Sequence, residues 1–147
     1  YHPDLIHTAR QVNNRAGAHV AARVLALLDA RGTPRAQARV LVLGVTFKEN
    51  CPDLRNSRAL ELAQALQAAG TQVQVQDPWV GPAALAGSGV QLVDEPDAQG
   101  FDAVVLAVAH DRFRSMRPEA IRALLRPDGV VYDVKSVWPR EVVDDRL

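Results

Sequence analysis

The sequence predicts an α/β fold: a doubly wound parallel sheet of order 3-2-1-4-5, preceded by a long connecting helix. Three observations carry this. Residues 39–47 and 101–108 are apolar runs rich in Val, Leu and Ala. Such runs suit strands buried on both faces of a parallel sheet. Helical and strand-like patterns alternate from residue 35 onward, which requires right-handed crossovers. Residues 4–31 place apolar side chains three and four apart, the period of a helix.

In that helix Leu5, Ala9, Val12, Ala16, Val20, Val24 and Leu27 or Leu28 fall on one stripe. Pro3 and Asp4 suit its first turn, and Gly32 suits its stop. About 27 residues at ~1.5 Å each give roughly 40 Å, longer than a small domain covers. Two readings stand. The helix packs on its own domain, or it connects to a further domain or a second copy and dimerises. Gly32-Thr33-Pro34-Arg35 reads as a linker, so residues 1–34 are expected as helix and linker and 35–147 as the domain.

Residues 39–47 form the first strand. Residues 57–69 are helical, with Leu60, Ala63 and Leu66 inward, Asn56 or Ser57 as N-cap and Gly70 closing the helix. Residues 71–76 alternate as a second strand, ended by Asp77-Pro78. A short helix at 82–86, a turn at 87–89 and a short third strand at 90–93 follow. The fourth strand is 101–108. Residues 110–113 lead away from it, and a helix is expected over 118–125. After a turn at Asp128-Gly129 the fifth strand runs over 130–135. Residues 136–147 show no assignable pattern. The order is Rossmann-like, and such sheets bind ligands beyond the carboxyl ends of their strands, beside the first strand.

Bulk composition narrows the function. The chain has 147 residues, 48% hydrophobic and 23% charged, with a net charge of zero. That suits one core and gives no electrostatic case for a nucleic-acid or membrane-surface partner. No apolar run is long enough to span a bilayer, and no signal peptide is seen. A single cysteine makes no internal disulfide, which fits a reducing, cytoplasmic setting. The chain opens on Tyr1-His2-Pro3 without methionine and is expected to be a piece of a longer protein.

Basic residues are 15 Arg and 2 Lys. Lys48 follows the first strand and Lys135 the fifth, both at the carboxyl edge of the sheet. Strands one, four and five are neighbours, so the two lysines start roughly 10 Å apart at the backbone. Two ammonium groups beside a helix N-terminus form a candidate phosphate site. His110, after the fourth strand, is either a ligand contact or a turn cap. Asp53 and Arg55 most simply clamp the loop of Lys48, with direct ligand contact by Arg55 as the alternative.

Other chemistries fit less well. Gly44-Val45-Thr46-Phe47-Lys48 is neither a dinucleotide fingerprint nor a P-loop. Asp77 lies where a ribose-binding acid would sit, but 33 residues after Gly44 rather than ~20, and reads as a turn residue. Cys51 sits near a lysine and a helix start, which lower a thiol pKa. It has no histidine nearby in sequence to act as base, and Asn50-Cys51-Pro52 also reads as a turn. His2, His7 and His19 belong to the first helix, with His7 and His19 too far apart for one metal site. No catalytic, cofactor-binding or metal-ligating residue is assigned.

Gly44-Val45-Thr46-Phe47-Lys48, Asp53-Leu54-Arg55-Asn56-Ser57, Gly70 and Asp77-Pro78 together resemble the C-terminal domain of the UDP-glucose/GDP-mannose dehydrogenase family. Arg10, Asn13 and Asn14 resemble that family's segment after its catalytic cysteine. Residues 47–55, with Tyr1-His2-Pro3 upstream and Ala109-His110 downstream, are most similar to its UDP-N-acetylhexosamine 6-dehydrogenases, which act in surface polysaccharide synthesis. The resemblance implies oxidation of a sugar C6 alcohol to a carboxylate, in two steps through a cysteine thiohemiacetal, with NAD reduced twice. It implies that Phe47 and Lys48 contact the nucleotide of a UDP-sugar and, more loosely, that Lys135 lies near the substrate. It further implies a homodimer through the long helix. The NAD domain and the catalytic cysteine are expected upstream of Tyr1, and Cys51 does not match that cysteine. The fragment alone is therefore expected to be inactive. A non-catalytic Rossmann-like module and a complete NAD-binding enzyme remain as alternatives.

Overall fold

A computed structural model describes the backbone of residues 3–147 and the side chains of residues 17–147. The expectations placed on Tyr1 and His2 lie outside the described residues, as do those placed on the side chains of Leu5, His7, Ala9, Arg10, Val12, Asn13, Asn14 and Ala16. Helix α1 runs Pro3–Ala30. Strand β1 (Arg39–Leu43) leads to α2 (Arg58–Ala68), β2 (Gln72–Gln76), β3 (Gln91–Leu92) and β4 (Phe101–Leu106). Two short helices, α3 (Asp111–Arg114) and α4 (Pro118–Ala123), precede β5 (Leu125–Asp133) and β6 (Asp145–Arg146). The sheet order is β3-β2-β1-β4-β5-β6, and every pairing is parallel.

The expected order holds, with one strand added. Strand β6 comes from the segment that showed no pattern. It is two residues long, too short for periodicity to announce it. The segment leading to it is anchored by Trp138, which is buried and donates its indole N–H to the Phe113 carbonyl at 2.9 Å. Several boundaries also move: β4 ends at Leu106 rather than at residue 108, and β5 ends at Asp133 rather than at Lys135. β1 stops at Leu43 because Gly44 turns the chain at φ +89°. β5 begins at Leu125, where the helix was expected to continue. Leu125 pairs with Phe101 and Val130 with Ala103, so the residues between them bulge out of the ladder.

Strand alternation divides the core into two layers. Val40 and Val42 face α1 and α2, while Leu41 and Leu43 face α3, α4 and Trp138. On α1, Val20, Val24 and Leu28 are buried in the first of these layers, beside Leu62 and Leu66 of α2. Full burial of such side chains contributes about 1.5–3 kcal/mol each. Arg23 of α1 pairs with Asp145 of β6, and Arg31, just past α1, pairs with Asp144, just before β6, at 2.9 Å. Among the described residues, no helix is long and apolar enough to cross a membrane.

Candidate functional site

The exit from β1 sets the geometry. Gly44 donates its amide to the Gln76 carbonyl at 2.9 Å, and Val45 donates to Asp77 Oδ2 at 2.8 Å. The chain then enters loop 46–56, which closes on itself through the Phe47 amide and the Asp53 carbonyl at 2.6 Å. Ser57 is the N-cap of α2: its Oγ accepts from the Leu60 amide at 3.0 Å and donates to the Val45 carbonyl. The first turn of α2 is thereby tied to the strand end.

A cleft of about 360 Å³ opens beside this turn. Gly17 and Val20 of α1 form one wall, Asn56 and Ala59 at the start of α2 another, and Phe47 and Lys135 the rim. Phe47 is 55% exposed, an unusual position for a phenyl ring. Lys135 Nζ lies 3.6 Å from Glu49 Oε1. The Glu49 carboxyl sits below its usual range, held there first by its own amide and then, against burial, by the Lys135 ammonium. Lys135 therefore meets the loop that carries Lys48.

Lys48 itself is exposed and, unlike Lys135, does not line the cleft; its carbonyl accepts from Thr46 Oγ1 at 2.9 Å. Asp53 and Arg55 meet each other: the carboxylate accepts from Arg55 Nε at 3.1 Å, Nη2 at 3.0 Å and the backbone amide at 2.9 Å. The Arg55 guanidinium, and to a smaller extent Lys48, hold the Asp53 carboxyl below its usual range. Cys51 is half-buried and unpaired. Among the described residues, no group of three or more His, Cys, Asp or Glu is placed to hold a metal.

His110 lies elsewhere than the cleft. Its side chain is fully buried, and both ring nitrogens are engaged. Nε2 lies 2.9 Å from Asp77 Oδ2 and 3.2 Å from Thr46 Oγ1, while Nδ1 accepts from the Asn50 amide at 2.8 Å. A ring so enclosed does not reach a ligand in the cleft. Asp77 is likewise more than a turn residue. Burial pushes its carboxyl up, but hydrogen bonds from His110 and the Val45 and Trp79 amides outweigh this and hold it below its usual range.

Sequence reasoning missed Asp133. It is wholly buried at the end of β5. Oδ1 accepts from the amides of Lys135 and Ser136, and Oδ2 from those of Val137 and Trp138, each at 2.8 Å. This carboxylate shapes the turn that carries Lys135. An aspartate at a strand end, two residues before the residue of interest, is a turn signal that could have found it.

The fit to NAD can be tested on these residues. A dinucleotide site needs a short glycine turn and an acid free to meet the ribose. Here Asp77 is 5% exposed and spends its oxygens on Val45, Trp79 and His110. The described residues do not form such a site.

The family model for the UDP binding domain of the UDP-glucose/GDP-mannose dehydrogenase family matches residues 41–140. The UDP-N-acetyl-D-glucosamine 6-dehydrogenases of Pseudomonas aeruginosa and Salmonella typhi are 38% and 35% identical over the whole chain. The chain spans 35% of the length of each. Among solved structures, the UDP-D-ManNAc dehydrogenase of Pyrococcus horikoshii superposes with a TM-score of 0.74 at 25% identity, over 99% of this chain and 34% of that one. The NDP-N-acetyl-D-galactosaminuronic acid dehydrogenase of Methanosarcina mazei gives 0.77 at 26% identity, over 91% and 28%.

Proposed function

The chain belongs to the UDP-glucose/GDP-mannose dehydrogenase family, through its UDP-binding domain, and from this we propose that it holds the nucleotide of a UDP-sugar 6-dehydrogenase. The substrate is a UDP-N-acetylhexosamine, oxidised at C6 to a carboxylate for surface polysaccharide synthesis. NAD and the reacting cysteine belong to parts of the protein outside these residues. The work of this domain is positioning: it anchors the nucleotide so that the sugar lies at a fixed place relative to the chemistry.

One observation carries the reading. Phe47, Lys135 and the N-terminus of α2 border a single cleft at the carboxyl edge of the sheet, within the segment matched by the family model. The aromatic face suits a flat base or sugar. Lys135 and the positive end of α2 suit a diphosphate, with Lys48 following Phe47 on the adjoining loop.

Calorimetric titration of UDP tests it. Affinity is expected to fall about tenfold in Lys48→Ala and in Lys135→Ala, and to weaken with salt, as lost charge-assisted contacts do. Equal affinity in both variants and the parent chain would remove the assigned roles of the lysines.

A homodimer through α1 is part of the same proposal. Val20, Val24 and Leu28 are already covered within this chain, so a second copy has to use other parts of the helix. Light scattering at high concentration is expected to give twice the chain mass of 16.0 kDa. A stable monomer would exclude this seam.

A further inference from the structure

Loop 46–50 carries Phe47 and Lys48, yet among the described residues it is not a strand or helix and has no ladder to hold it. Besides the Phe47–Asp53 bond and the Lys135–Glu49 pair, what holds it is a buried cluster beneath. Asn50 sits at φ +55°, a left-handed conformation that asparagine tolerates better than most residues. Its amide donates to His110 Nδ1 at 2.8 Å, and its Oδ1 accepts from the Asp111 amide at 3.0 Å. At the other end of the loop, Thr46 Oγ1 lies 3.2 Å from His110 Nε2 and gives its own proton to the Lys48 carbonyl.

These contacts fix the state of the ring. A backbone N–H can only donate, so His110 Nδ1 is an unprotonated acceptor. The ring proton is then on Nε2, directed at Asp77 Oδ2 and shared with Thr46 Oγ1. Asp77 in turn receives the Val45 amide, the residue before Thr46. Trp79 and Phe113 lie beside the imidazole, with ring centroids 6.2 Å and 5.9 Å away. One side chain thus bridges both ends of the loop to the sheet.

We propose that His110 is a positioning residue for nucleotide binding: as a neutral, Nε2-protonated imidazole it holds loop 46–50, and with it Phe47 and Lys48, in the shape that receives the diphosphate. This rests on the reading of the cleft as a UDP site. The Nδ1 acceptor is the part that matters for the loop, and the Nε2 donor is the part that secures the ring.

Three variants separate these roles. Asparagine places an oxygen near the Nδ1 position, glutamine places a donor near Nε2, and alanine supplies neither. In the 147-residue chain, His110→Asn is expected to retain UDP affinity within about threefold. His110→Gln and His110→Ala are expected to lose about tenfold, the effect of one buried hydrogen bond left unmade. Hydrogen exchange at the Asn50 amide is expected to be slow in the parent chain and in His110→Asn, and fast in His110→Gln. The ring ¹⁵N spectrum of the parent chain is expected to show a bare Nδ1. A protonated Nδ1 would overturn the proposal. So would equal UDP affinity in the parent chain and His110→Gln. If the parent chain binds no UDP, the nucleotide reading fails by itself, and the role in holding the loop is still decided by Asn50 exchange: equal rates in the parent chain and His110→Gln would overturn that as well.

Discussion

Gly44→Ala is expected to lower the melting temperature by roughly 10 °C, read by calorimetry or circular dichroism, from a loss of about 3–4 kcal/mol. Two effects add. Gly44 holds φ +89°, where an L-residue carries strain of order 1–3 kcal/mol. A Cβ there would also lie 2.5 Å from the Val108 Cβ, 2.7 Å from its carbonyl oxygen and 2.9 Å from its amide nitrogen. The backbone atoms cannot swing aside as the tip of a side chain can. The neighbouring strand end would have to move, and overpacking of this kind costs about 1–3 kcal/mol. Gly87→Ala is the control. Gly87 has φ +82°, but a Cβ there meets nothing within 4 Å, so only the strain remains. Its loss is expected at about 1 kcal/mol. Equal losses at the two glycines would show that the contact between the exits of β1 and β4 contributes nothing.

Asp133→Ala is expected to be of similar size, about 3–4 kcal/mol, and to weaken UDP binding as well. The substitution removes the acceptor of four amides. Lys135 and Ser136 are exposed, so water can serve their amides, but Val137 is half-buried and Trp138 buried. A buried donor left without a partner costs about 1–3 kcal/mol. Ser136 also stands at φ +56° and loses the bond that holds it there. Asparagine is not a gentle replacement, because its NH₂ would face amides that can only donate. Asp133→Asn is therefore expected to recover less than half of the loss. Thermal unfolding and UDP titration on the two variants check this. Stability falling with unchanged UDP affinity would separate Asp133 from the site.

Much of the frame was legible in the sequence. The apolar runs 39–47 and 101–108 announced buried strands, and Ser57 and Gly70 marked the ends of α2. Loop 46–56 stood out as the candidate site because Phe47, Lys48, Asp53 and Arg55 carry a specific spacing. Asp53 and Arg55 are two residues apart, and their contact is local enough to be read that way. The roles of His110 and Asp77 were not legible. They are 33 residues apart, and Thr46 is 64 residues from His110. Only the juxtaposition of β1, β2 and β4 brings the three together, and a residue's environment is not written in its own neighbourhood. Residues 136–147 stayed unassigned for a related reason. Trp138 is held by Phe113 and Asp133, not by any repeat within the segment.

The sequence by itself determined the order of the first five strands and the loop that presents Phe47 and Lys48. Hydrophobic period, caps and turn residues act over a few positions, and they leave their mark within a few positions. The tertiary structure decided which polar groups stay exposed at the surface and which are consumed in shaping the loop. That sorting depends on burial, since a buried polar group must find a protein partner. Lys48 and Phe47 were left exposed, with Lys135 beside their loop, while Asp77, His110 and Asp133 were drawn inside to hold the turns that present them.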